Sequence, residues 1–297
     1  NSSLQPSELV KIAFILAGAA TLDRLFAKRN LIFTVLFSAY CVGCLALMSD
    51  FGTALVFFVA FLCIAFLRTG DLPSIVMMTA AAGFAGGLML HFKPYIADRF
   101  TVWRHAWEFA QSTGYQQTRT MSAVASGGLF GAGPTDAWLK YVGAANTDLV
   151  FGVVSEEFGL LLALCAVAAI ILIAVFAITS AATARSSFYT ITSCAAAAML
   201  TVQVTLNTLG SVDLLPLTGV TFPFVSMGGS SMLSCWSLMA FLKAADTRQN
   251  ASFALRLPKR RPKTKPEPPK AKPSNGFFDE IPDIPVDEIF GKEDKPE

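Results

Sequence analysis

Three carboxylates crowd the stretch NTDLVFGVVSEEFG at 146–159, where a polar segment passes into a hydrophobic run that continues to about residue 178. A charge left unpaired in lipid costs roughly 3 kcal/mol or more, so Asp148, Glu156 and Glu157 ask for a polar cavity, an ion pair or a proton-transfer role. If the run is one helix, Gly152, Ser155 and Gly159 follow Asp148 at offsets of four, seven and eleven, and all four share one face. Asp148 then stands above a shallow furrow. The same small residues also suit close helix packing, and both readings stay open. At about 100° per residue, Glu156 lies about 80° from Asp148 and Glu157 nearly opposite, which makes Glu156 the companion carboxylate.

Two further acidic positions sit at the starts of apolar runs. In QPSELVK, Pro6 suits the first helical position, Glu8 falls in the first turn where the helix dipole favours an anion, and Lys11 follows at i+3. That arrangement is a surface ion pair or part of a site. Asp50 in MSDFGTA occupies a very short connection, where a turn with Gly52 explains it as well as a function does. Two glycine-rich stretches, SGGLFGAGP at 126–134 and TFPFVSMGGSSM at 221–232, lack the GK[ST] of a phosphate-binding loop, so neither supports a nucleotide. Gly228, Gly229, Ser230 and Ser231 precede the last apolar run. Backbone N–H groups at such a helix entry can hold an anion such as a pyrophosphate, or merely cap and kink the helix. His91 and His105 have no partners at metal-ligand spacing and read as interfacial residues.

These residues need elements to hold them. Of 297 residues, 54% are hydrophobic and 15% charged, with 25 Phe, a balance outside the soluble average. The six cysteines lie in apolar runs and suggest neither a disulfide framework nor a metal site. Apolar segments near 9–27, 31–48, 52–67, 74–91, 149–178, 188–209 and 230–245 are long enough to read as seven transmembrane helices. Arg24, Lys28, Arg29, Arg68 and Arg185 fall in alternate short loops, and 49–51 and 210–229 carry no Lys or Arg. The positive-inside rule then puts the N-terminal end, the acidic clusters and the 92–148 segment outside and the tail inside. Trp103, Trp107, Trp138, Tyr95, Tyr115 and Tyr141 place that long outer loop partly in the interface. The expected domains are a multi-span unit at 1–249 and a charged, disordered cytoplasmic tail at 250–297. The tail is basic at 256–272, with eight Lys/Arg against one Glu, and acidic at 279–297, with eight Asp/Glu against two Lys. Its basic half suits anionic lipid, and FFDEIPDIPVDEIF is either a docking peptide or plain solvated chain.

Five motifs in order, LQPSELVK at 4–11, SDFGTALVF at 49–57, GYQQTRTMSAVASGGLFGAG at 114–133, NTDLVFGVVSEEFGLL at 146–161 and LPLTGVTFPFVSMGGSS at 215–231, resemble the SEDS family of bacterial cell-wall polymerases, which includes FtsW, RodA and SpoVE. The resemblance covers residues 4 to about 245. It implies an all-α polytopic membrane protein of ten spans with both ends cytoplasmic, so that this chain, which begins at Asn1, looks like a member without its first three helices. It also implies a peptidoglycan glycosyltransferase in the bacterial cytoplasmic membrane that polymerises lipid II, the disaccharide-pentapeptide on undecaprenyl pyrophosphate, at the outer face.

By the same resemblance Asp148 is the catalytic aspartate, acting as general base for the acceptor 4-hydroxyl in a single inverting displacement. The other motif residues expected at the substrate are Glu8, Lys11, Asp50, Gln116, Ser126, Gly127, Gly128, Thr147, Glu156, Ser226, Gly228, Gly229, Ser230 and Ser231. A divalent cation, Mg or Mn, could neutralise the pyrophosphate with Asp148 and Asp50 as candidate ligands. Implied partners are lipid II and a class B penicillin-binding protein, with other division or elongation proteins on the tail and no nucleic acid. The family usually has His-Thr-Asp-Phe where this chain has Asn146, Thr147, Asp148 and Leu149, so the aspartate stands here without a neighbouring imidazole. Two other readings stand beside the polymerase: a flippase for the lipid-linked precursor, and an inactive division scaffold.

Overall fold

The computed structural model describes residues 5–23, 28–92, 94–182 and 186–254. Among these, every long element is a helix: α1 Pro6–Asp23, α2 Lys28–Leu47, α3 Phe51–Thr69, α4 Leu72–Phe92, α5 Pro94–Val102, α6 Tyr115–Gly127, α7 Val150–Phe158, α8 Leu160–Ala182, α9 Ser187–Ser211 and α10 Gly229–Ala254, with a short 3₁₀ turn at Leu139–Tyr141. The helices occupy all seven positions expected from the apolar runs. On length and hydropathy alone, α3, α8 and α9 suffice to cross a membrane, and Ile32–Leu47 and Leu72–Leu88 are shorter apolar stretches. The protein is an all-helical membrane protein.

One span departs from its expectation. The 149–178 run is two helices, broken at Gly159, which has φ +90°. The break exists because another backbone enters it. Ala132 N donates to Glu156 O (2.8 Å), Gly133 N to Glu157 O (3.1 Å) and Leu160 N to Gly128 O (2.9 Å), so the 127–133 turn takes up polar groups that a continuous helix would have paired internally. Peptide groups at membrane depth need such partners. A side chain on Gly159 would stand 2.6 Å from Gly131 N, so only glycine fits. Asp148 also lies outside α7, whose N-cap is Leu149. The single face joining Asp148 to Gly159 therefore does not form. Gly152 and Ser155 are buried in α7 and serve packing: a Cβ on Gly152 would meet Leu139 Cδ2 at 2.8 Å.

The core centres on α9, which packs against α8, α3, α1 and α10. Ala195, Ala196 and Ala197 are buried there, and such small residues let helix backbones approach closely. Phe14 and Ile15 of α1, Phe57 and Ile64 of α3, Met199 and Leu200 of α9 and Leu242 of α10 fill the space between. α4 stands apart, with Val76, Met77 and Phe84 largely exposed, as suits an apolar helix whose solvent is lipid. The 92–148 segment is folded, as α5, α6 and the 3₁₀ turn. α10 runs past the expected domain end at 249, and residues 255–297, which hold nearly all of the expected tail, lie outside the described residues.

Candidate active site

The loop between α9 and α10 gathers the candidate residues at one end of the bundle. Its contacts with the chain are specific. Met227 N donates to Asn146 O (2.8 Å), and the buried Ser226 hydroxyl donates to Thr147 O (2.6 Å) and accepts from Phe222 N (2.7 Å). At the α3 start, Gly52 lies so close to Thr218 and Val220 that a Cβ would stand 2.7 Å from Thr218 O. At the α1 start, Gln5 N donates to Ser230 Oγ (3.2 Å). The α3 entry and the segment before α7 thus meet on this loop, and the α1 entry meets the first turn of α10.

Asp148 sits at this junction. Its N–H donates to Ala144 O (2.9 Å), and its carbonyl accepts from Asn207 Nδ2 (2.8 Å). The same Asn207 amide donates to Val220 O (2.8 Å), so one buried side chain on α9 ties the aspartate's backbone to the opposing loop. Gly219 has φ +71°, and a Cβ there would stand 3.3 Å from Asp148 Oδ2, which places the carboxylate directly against the glycine. Burial pushes the Asp148 carboxyl above the ordinary aspartate range; the Thr147 hydroxyl and the Arg99 guanidinium oppose that rise, and the Asp50 carboxylate adds to it. A raised, half-buried carboxyl beside one cation and one anion has the environment of a proton acceptor tuned towards neutral pH.

Asp50 caps α3 by accepting from Thr53 N (3.1 Å) and is within electrostatic range of Asp148. These are the two cation candidates. Among the described residues no three His, Cys, Asp or Glu gather as a metal site, and Asp148 and Asp50 are the two carboxylates that come together at this junction. That set suits a Mg²⁺-like ion, which commonly takes one or two carboxylates and completes its shell with water and substrate phosphates.

Above the junction a cavity of about 240 Å³ is lined by Asp98, Arg99, Trp103, Gln116, Gln117, Asp213 and neighbours. Arg99 of α5 donates from Nη1 to Leu217 O (2.8 Å), and Trp103 donates from its indole to Leu214 O (3.2 Å), clamping α5 onto the α9–α10 loop. Gln116 donates to Gly143 O (3.2 Å), and the buried Gln117 amide donates to Gly210 O.

The remaining expected residues take up structural contacts. Glu156 is not the companion of Asp148: its buried carboxylate accepts from Trp138 N (3.1 Å) and Leu139 N (2.9 Å), holding the 3₁₀ turn. Asp148's influences come instead from Thr147, Arg99 and Asp50. Glu8 and Lys11 form a 2.7 Å ion pair, and they are buried rather than on the surface, with Glu8 Oε2 unpartnered. Ser231 Oγ lies 3.0 Å from Thr221 Oγ1, Ser126 donates to Ala123 O (2.9 Å), and Gly127 packs on α7, where a Cβ would stand 2.7 Å from Glu156 Cα. Gly128 has φ +55° and opens the turn, Thr147 donates to Ala144 O (3.1 Å), and Gly229 begins α10 directly after Gly228, whose carbonyl accepts from Met232 N (2.8 Å). Asn207, Arg99 and Gly219 carry the geometry and were not singled out in the sequence. The one local signal was a polar amide, Asn207, deep in an apolar run.

Comparison with known proteins gives this geometry its context. A profile of the family described as cell cycle proteins, FtsW, RodA and SpoVE, matches residues 1–251. The chain is 32% identical over 260 residues to a probable peptidoglycan glycosyltransferase FtsW of Coxiella burnetii, an alignment covering 84% of this chain and 70% of that protein. It is 29% identical over 260 residues to the peptidoglycan glycosyltransferase RodA of Mycobacterium leprae, covering 81% of this chain and 55%, about half, of that protein. Among solved structures, a chain from a peptidoglycan synthase complex described as coordinating polymerization and crosslinking matches with TM-score 0.68 at 23% identity, over 83% of this chain and 70% of that one. A mutant of the rod shape determining protein RodA of Thermus thermophilus matches with TM-score 0.56 at 23% identity, over 83% and 67%. At those identities the structural likeness bears on the fold.

Proposed function

Because the chain belongs to the FtsW, RodA and SpoVE family of cell cycle proteins, we propose that it is a glycosyltransferase that polymerises lipid II into glycan strands at the outer face of the bacterial cytoplasmic membrane. The observation that carries this reading is Asp148, whose backbone carbonyl Asn207 ties to the loop before α10 and whose carboxyl is raised by burial. In the reaction the acceptor 4-hydroxyl oxygen attacks the anomeric carbon of the donor sugar, the bond to the pyrophosphate breaks with inversion, and the hydroxyl proton passes to Asp148. A positioned base of this kind contributes typically 10²- to 10⁴-fold, with the remainder supplied by orientation and by stabilisation of the departing charge. Arg99 is the cation placed to meet that charge. A divalent ion held by Asp148 and Asp50 would supply further neutralisation of the pyrophosphate.

The active end then faces outside and the C-terminal tail the cytoplasm, with seven spans in this chain. A class B penicillin-binding protein is the partner that cross-links the strands, and the tail recruits division or elongation proteins. The test is to purify the full-length protein with that partner, supply lipid II and look for glycan strands from wild type and from Asp148→Asn. Strands from wild type alone are expected. Strands from both would remove Asp148 from the reaction, and lipid movement without strands would favour a precursor flippase.

A further inference from the structure

Apart from Arg99, the lining of the 240 Å³ cavity above the junction takes no part in the chemistry at Asp148. The cavity lies between α5, the start of α6 and the α9–α10 loop, and one edge of it is strained. Arg104 and Asp213, non-glycine residues at φ +66° and +60°, are joined by the bond from Arg104 N to Asp213 Oδ1 (3.2 Å). Backbone of that kind persists only where surrounding contacts hold it, and it clusters at ligand sites. The polar groups left over are hydrogen-bond acceptors. Among the described residues the exposed Asp98 carboxylate has no partner, Asp213 keeps Oδ2 free, and Gln116, which donates its amide to Gly143 O, keeps its side-chain carbonyl. Beside them stand the Thr113 hydroxyl and the ring of Trp103, fixed by its bond to Leu214 O (3.2 Å). The cavity also borders Asp148 from two sides. Leu217 in its wall is two residues from Gly219, which lies against Asp148 Oδ2, and Gln116 is bonded to Gly143, next to the Ala144 carbonyl that accepts from Asp148 N.

We propose that this cavity is a saccharide subsite, which seats one sugar ring of the lipid-linked substrate, the ring joined to the one that reacts at Asp148. The inference rests on the polymerase reading above. The chemistry of the walls selects the occupant. Carboxylate and amide oxygens accept from sugar hydroxyls, and Trp103 offers apolar surface to the C–H face of a pyranose. A prenyl chain would strip water from Asp98, Asp213 and Gln116 without replacing its hydrogen bonds. A phosphate would meet two carboxylates with Arg99 alone to offset them. The volume is below the about 300–1,000 Å³ typical of sites for drug-sized ligands, which suits a single ring.

The test compares Asp98→Ala and Asp213→Asn in the full-length protein with its partner, with Glu108→Ala, an exposed acid outside the cavity, as control. Asparagine tolerates positive φ and keeps an acceptor for Arg104 N. With lipid II, each cavity variant is expected to raise KM about tenfold, the effect of losing a hydrogen bond to a charged group, with kcat little changed. The sign is diagnostic. Removing an acid near an anionic pyrophosphate lowers KM through charge alone, an effect that Glu108→Ala measures, so a rise identifies direct contact. An unchanged or lowered KM, or a loss confined to kcat, overturns the proposal. So does an Asp98→Ala effect that vanishes with a lipid II analogue lacking the peptide stem, because the cavity would then hold the peptide. A second measurement needs no polymerisation: saturation-transfer NMR with the lipid-free disaccharide of lipid II and the protein in phosphatidylcholine nanodiscs. Transfer to the sugar protons is expected in wild type and Glu108→Ala and is expected to weaken in Asp98→Ala. Transfer that is absent, unaltered by Asp98→Ala, or equal for maltose sinks the idea. The expected binding pattern without glycan synthesis would instead count against the polymerase reading while leaving the subsite intact.

Discussion

Replacing Gly52 with Ala tests whether the α3 entry positions the Asp148 carboxylate, the proposed base. A Cβ at this position stands 2.7 Å from Thr218 O and 3.0 Å from Thr218 Cβ, with Val220 Cγ2 closer still. Carbon contacts settle at about 3.5–4.0 Å, so the 218–220 backbone must retreat by about 1 Å. That backbone has little freedom: Val220 O is bonded to Asn207, and Gly219 rests against Asp148 Oδ2. A retreat either breaks the Asn207 link or presses on the carboxylate. Overpacking of this size costs about 1–3 kcal/mol of stability, and a displacement of about 1 Å at a reacting group lowers the rate about 10²-fold. The assay is glycan synthesis from labelled lipid II by the full-length protein with its partner, alongside thermal unfolding in detergent. Gly43→Ala in α2 is the control, because a Cβ there meets nothing within 4 Å and alanine in a helix interior is favoured over glycine by about 0.5–1 kcal/mol. A wild-type rate in Gly52→Ala would refute the positioning argument, as would equal damage in Gly43→Ala.

Other expectations follow from the same contacts. Asp148 accepts a proton only when ionised, and Arg99 is one of the influences holding its raised pKa in check; Arg99→Gln therefore keeps the carboxyl protonated to higher pH and moves the acidic limb of the pH–rate profile upward, with partial recovery in Arg99→Lys. An unmoved limb would separate Arg99 from Asp148. Glu156→Gln sets an amide N–H against one of the two backbone donors at Trp138 and Leu139, losing about 1.5–3 kcal/mol for that charged hydrogen bond; proteolysis should reach the 134–141 segment sooner, and unchanged cleavage would show that the turn holds without it. Lys11→Met leaves Glu8 as an uncompensated buried charge and should cost about 3–5 kcal/mol, much of which Glu8→Leu/Lys11→Met recovers. Additive losses in the double variant, read by thermal unfolding, would show that the two residues do not interact.

Apolar runs and local capping chemistry were legible along the chain because both act over a few residues. Helices at the seven apolar runs, Pro6 at the first position of α1, Asp50 at the start of α3 and the Glu8–Lys11 pair all follow from neighbours three or four positions apart or fewer. The motif order also pointed to Asp148 before any geometry was known. What only the tertiary structure decided depends on segments far apart in sequence. Gly159 breaks a run of apolar residues that would otherwise continue as helix because the 127–133 backbone hydrogen-bonds into the gap. Glu156 serves the turn at 138–139, Arg99 reaches Leu217 across 118 positions, and Asn207 joins Asp148 to Val220. No local period encodes such pairings: a buried polar group must find a partner somewhere, but which partner is set by how the helices pack.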